Sequence, residues 1–140
     1  MELSANETYT EALDFFHDDP EQSLMMAIRA GHDENVDCLS DHLVARGGDL
    51  NPDAEAREFF SKAVEGVSCT FGETATLLAL EAGETGAMKE YRRAMEDPEL
   101  PPGLREDIRG RIMPRLRRHI EELERLRSAQ AAEAALAPGS

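Results

Sequence analysis

Between Leu77 and Tyr91 the chain sets two carboxylates, Glu81 and Glu84, into a run whose other residues ask for a buried helix face. On a helix, positions 67, 71, 74, 78, 81, 85 and 88 advance by alternate steps of four and three and fall on one stripe. Val67, Phe71, Leu78 and Met88 mark that stripe as an apolar seam, and Glu81 lies inside it. Glu84 flanks the same face beside Leu77, Met88 and Tyr91. A second stripe, Ile112, Leu116, His119, Leu123 and Leu126, carries a histidine. A desolvated carboxylate must be neutralised, hydrogen-bonded or bound to a cation. The two stripes therefore predict helices packed around a polar or metal-binding interior.

Composition agrees with helices. Ala, Leu, Glu and Arg dominate, Trp is absent, and a chain of 140 residues at 41% hydrophobic can bury one core. No run is apolar for long enough to span a bilayer, and the first residues lack the basic and apolar regions of a signal peptide. Cys38 and Cys69 are too few for a disulfide framework or a zinc knuckle. These features predict a cytoplasmic protein that does not engage membranes. The net charge of -14 is uneven: residues 1–66 hold sixteen acids against four bases, and residues 104–127 hold five acids against eight arginines. An acidic molecule of this kind repels the phosphate backbone, so nucleic acid is not an expected partner. No Gly-rich phosphate loop is present, and no catalytic group is assigned. Cys38 and His42 share one helix face at i, i+4, but the sequence supplies no third group to orient them.

Punctuation divides the chain. Ser4 to Glu7 reads as a capping box, Asp19-Pro20-Glu21-Gln22 as a second start, and Asn51-Pro52-Asp53 as a third. Gly47-Gly48 closes the second helix, Thr70 to Glu73 caps another, and Pro101-Pro102-Gly103 opens the last. The expected elements are helix A near 4–17, B near 20–46, a connecting helix near 53–69, C near 73–96 and D near 103–127. Pro114 predicts a kink in D, eased by Gly110. One domain over 1–127 is followed by an Ala-rich tail, 128–140, expected to be disordered. Two tight hairpins joined by one long crossover make an all-α, ferritin-like four-helix bundle, with the helical crossover between B and C. Helix A covers only half of B, so either the bundle is incomplete at one end or another chain covers the exposed seam.

The Glu81-Ala-Gly-Glu84 run with Tyr91, the Asp19-Pro20-Glu21 turn, Gly47-Gly48 and His119 carry a resemblance. Together with Glu7 and Tyr9 on helix A, they resemble the bacterial ferritin-like four-helix-bundle family of unknown function, sometimes linked to stress response. The similarity covers roughly residues 6–127. It implies the bundle fold and, by analogy with di-iron ferritins, an oxygen-rich site for iron or manganese. Such a site takes Glu-x-x-His from two helices. This chain has none: helix B offers His32, Glu34 and Asp37, and helix D offers His119-x-x-Glu122.

Two functional classes follow. One is a non-catalytic protein acting by association, as a homo-oligomer or with a partner helix, through seam residues such as Phe16 and Ile28. The other is a stress-response protein binding iron or manganese at a degenerate site of Glu81, Glu84, His119 and Glu34. Glu81 has a structural reading too, as an ion pair with an arginine of helix D such as Arg115 or Arg118. His119 likewise has a structural reading, as a buried histidine hydrogen-bonded to a carboxylate.

Overall fold

In the computed structural model the described residues are 2–45 and 72–136, and every regular element among them is helical. Helix α1 spans Glu2–Phe15, α2 Asp19–Ala45, α3 Glu73–Met95, α4 Pro102–Asp107, and α5 Met113–Leu136, with a π-helical segment, Ile108–Ile112, joining α4 to α5. The expected crossover helix over 53–69, the Gly47-Gly48 stop, the Asn51-Pro52-Asp53 start, Thr70, Val67, Phe71 and Cys69 lie outside the described residues. No described helix is long and apolar enough to cross a membrane.

The helix boundaries have local causes. The backbone is already helical at Glu2, ahead of the expected cap at Ser4. Between α1 and α2 the Gln22 side chain donates to the Phe16 carbonyl at 2.7 Å, and its backbone N–H donates to the Asp18 carbonyl at 3.0 Å. These two bonds pin the tight turn. Gly72 precedes α3 at φ 88° and ψ -169°, a conformation that glycine adopts without steric cost. Its carbonyl accepts from both the N–H and the hydroxyl of Thr76. At the other end of α3 the Arg105 guanidinium donates to the carbonyls of Met95 and Asp97, at 2.5 and 2.7 Å. It thereby closes the helix and fastens α4 to it. Pro102 stands at the first position of α4, where its missing N–H costs nothing.

The disruption expected at Pro114 takes the form of the π-helical segment, which ends at Ile112, two residues before it. The Met113 N–H bonds back to the Ile108 carbonyl, a wide turn of the kind that relieves a proline inside a helix. Helix α5 then continues through 128–136, the stretch whose composition suggested disorder. Gln130 there donates to Glu21 at 3.1 Å and to Glu73 at 3.2 Å, tying it to the starts of α2 and α3.

Helices α1 and α2 run antiparallel, since Asn6 meets Asp33 and Thr10 meets Arg29. Helices α3 and α5 are likewise antiparallel, since Glu81 meets Arg127 and Glu84 meets His119. The buried apolar residues form two clusters. One gathers Tyr9, Phe16, Met25, Ile28, Leu77, Leu80 and Leu123; the other gathers Ala5, Ala87, Met88, Tyr91, Ile108, Ile112 and Leu116. Along α2, α3 and α5 the step between the clusters is a polar residue: His32, Glu84 and His119. A layer of titratable side chains therefore crosses the core.

Helix α3 presents a different face from the one extrapolated through Val67 and Phe71. Leu77, Leu80, Glu84, Ala87, Met88 and Tyr91 point inward, and Leu78 is 49% exposed. Glu84, not Glu81, occupies the centre of the seam.

Candidate metal centre

Glu84 is fully buried, and its neighbours decide its charge. One carboxylate oxygen, Oε1, accepts from the Tyr9 hydroxyl at 2.8 Å and lies 2.6 Å from His32 Nε2. The other, Oε2, faces His119 Nδ1 at 3.5 Å. That is too far for a good hydrogen bond, and neither Oε2 nor Nδ1 has another hydrogen-bond partner among the described residues. Burial pushes the Glu84 carboxyl up, but the charges and hydrogen bonds of His32 and His119 outweigh it and hold the group at about 2.

A carboxyl depressed from its ordinary 4.5 to about 2 stabilises the fold above pH 4.5 and loses that contribution as the pH falls toward 2. Acid titration of the metal-free protein, followed by circular dichroism, is expected to show a loss of stability across that window. Glu84→Gln should flatten the loss; an unchanged acid profile in that variant would assign it to other carboxylates.

The two histidines are positioned from separate helices. The His32 ring stacks on Tyr9 with centroids 5.6 Å apart and lies 5.1 Å from the ring of His119. His119 fits because residue 31 is glycine: a Cβ there would stand 2.6 Å from His119 Nε2. His32 Nε2 or Nδ1, a Glu84 oxygen and a His119 nitrogen all lie within 4.8 Å of one another. Two imidazoles and one carboxylate form a recurrent donor set for first-row divalent metals.

Of the four residues grouped from the sequence, two come together and two do not. Glu84 and His119 meet in the polar layer. Glu81 is instead held by Arg127, whose Nε and Nη2 donate to its two oxygens at 2.7 and 3.2 Å. This is the structural ion pair, made with Arg127 and not with Arg115 or Arg118. Glu34 turns to the surface and pairs with Arg115 at 2.7 Å, its side chain 65% exposed. The same Arg115 donates to the buried Asn35 carbonyl oxygen. Glu34 does share a groove of about 210 Å³ with Gly31, Arg115, Arg118, His119 and Glu122, which leads from solvent to His119.

His32 is the residue that sequence reasoning left outside the set. It lies four residues after Ile28 and three before Asn35, both fully buried in the structure, so it shares their inward face of α2. Tyr9 likewise turns its hydroxyl to the site while its ring belongs to the apolar cluster. Comparison with protein-family models, with curated proteins and with solved structures finds no match.

Proposed function

We propose that this chain is a ferritin-like bundle that holds a single divalent transition-metal ion between His32, Glu84 and His119. The observation that carries the reading is the pair of facing, unsatisfied atoms, Glu84 Oε2 and His119 Nδ1, in a fully buried layer. Buried polar groups are nearly always satisfied, and a cation between these two would satisfy both at once. Iron(II), manganese(II) and zinc(II) all suit two imidazoles and a carboxylate. The described donors do not fit a di-iron centre: among the described residues Glu84 is the single carboxylate in the layer, and Glu81 and Glu34 are committed to arginines. The paired antiparallel helices and the long segment between α2 and α3 support the ferritin-like arrangement.

The test is metal retention. After anaerobic loading with iron(II), manganese(II) or zinc(II) and desalting, the Cys38→Ser, His42→Gln protein is expected to keep one ion per chain. Glu84→Gln and His119→Ala should abolish retention with helical content intact. Glu81→Gln should retain the ion as the parent does, because its carboxylate is turned to Arg127. Loss of metal in Glu81→Gln, or none retained by the parent, would sink the reading.

Association is the weaker alternative. Phe16 and Ile28, the seam residues it would present, are fully buried, and among the described residues the large exposed apolar side chains Met26, Leu78 and Leu136 stand on three different helices. Isolated apolar residues of this kind are ordinary on a protein surface. A chain without metal that sediments as a concentration-dependent oligomer would favour it.

A further inference from the structure

Away from the polar layer, the second half of α2 meets the end of α4 at a different group of donors. Cys38 and His42 lie one turn apart on α2, and Asp107 is the last residue of α4. His42 Nε2 stands 2.6 Å from Asp107 Oδ2. One sulfur, one imidazole nitrogen and one carboxylate oxygen fall within 4.8 Å of one another. We propose that Cys38, His42 and Asp107 form a second metal site, separate from the buried layer, for a borderline divalent cation of the zinc class.

His42 Nε2 faces the Asp107 carboxylate, and the Cys38 sulfur lies within 4.8 Å of a donor atom of each. This convergence is what a metal needs: three donors pointing at one volume, two of them at helical i, i+4 spacing. The mixture of S, N and O selects zinc or cobalt(II) over the hard cations, which prefer oxygen alone. The His42 and Asp107 side chains are 26% and 28% exposed, so solvent can supply a fourth ligand and complete a tetrahedron. The π-helical segment begins at the residue after Asp107, and such wide turns concentrate at functional sites. Arg111 opposes binding, because its guanidinium sits 3.6 Å from Asp107 Oδ1, but its side chain is 71% exposed and free to swing outward.

Cobalt(II) titration of the full chain carrying Cys69→Ser tests the proposal, because Cys38 is then the only thiol. A thiolate-to-cobalt charge-transfer band is expected, displaced by zinc and absent after Cys38→Ser. The buried layer contains no sulfur and cannot produce it. His42→Gln and Asp107→Asn should each weaken cobalt binding at least about tenfold, with far-ultraviolet circular dichroism unchanged. Arg111→Gln leaves all three donors in place and should tighten binding about threefold by removing the competing charge. Cobalt spectra without the charge-transfer band, or an affinity that Arg111→Gln leaves unchanged or lowers, would overturn the assignment.

Discussion

Replacing Glu84 by alanine is expected to destabilise the metal-free protein by about 3–5 kcal/mol, the cost of removing one partner from a buried charged cluster. The Tyr9 hydroxyl and His32 Nε2 both bond to Glu84 Oε1, inside a region that water does not reach. Alanine strands those groups and leaves a cavity besides. For a chain of this size the melting temperature should fall by about 10 °C or more. Glu84→Gln keeps the volume and one acceptor oxygen, so its loss should be clearly smaller. Urea denaturation of both variants without metal checks the ordering. A cost below about 1 kcal/mol for alanine would mean that the layer relaxes freely or admits solvent, and that its hydrogen bonds do little for the fold.

Gly31→Ala is expected to separate stability from metal affinity. Alanine favours a helix over glycine by up to about 1 kcal/mol. Against that, its methyl group would stand 2.6 Å from His119 Nε2, 2.9 Å from His119 Cε1 and 3.1 Å from Arg115 Cδ. Overpacking of this kind costs about 1–3 kcal/mol, so net stability should fall by no more than about 2 kcal/mol. Metal affinity should suffer more. The imidazole must rotate or shift to escape the methyl group, and a ligand displaced by even half an ångström leaves its coordination position. A loss of more than about tenfold in zinc affinity is expected, measured by chelator competition in the Cys38→Ser background. Unchanged affinity would show that the imidazole binds from another rotamer, or that it is not a ligand.

Among the described residues, several helix boundaries were readable from punctuation, because glycine and proline act first through local backbone geometry. Pro102 and the turn after Phe16 fell within a residue or two of where their residue types placed them. Which acid entered the core was not readable in the same way. The stripe that favoured Glu81 was anchored on Val67 and Phe71, which precede α3 in sequence, and Gly72, immediately before α3, stands at φ 88°, outside helical geometry. Helical phase does not survive such a break, so the extrapolated face missed the true one. Leu77, Leu80, Met88 and Tyr91, taken from within α3 alone, point to Glu84. The partner of Glu81 was hidden for another reason. Arg127 lay at the boundary of what the Ala-rich tail suggested was ordered, and the helix that presents it continues to Leu136. His32 required knowing how α1 and α5 close over α2, which is tertiary information.

The wide turn at Ile108–Ile112 has a consequence for how this helix can change length. Leu104, Ile108, Ile112 and Leu116 all pack inward at steps of four, whereas an ordinary α-helix would drift by about 40° at each such step. The wide turn absorbs that drift, so α4 and α5 keep one continuous inner face while carrying a residue that the α-helical repeat does not require. Removing Gly110, together with Pro114→Ala so that no ring obstructs the restored α-helical turn, should leave His119 facing His32. Removing a residue between Pro114 and His119 should instead swing the imidazole about 100° out of the layer. Deletion is thus expected to be tolerated at one place in the run of helix from Pro102 to Leu136, and that place lies in sequence between Asp107 and His119, one donor of each proposed metal site.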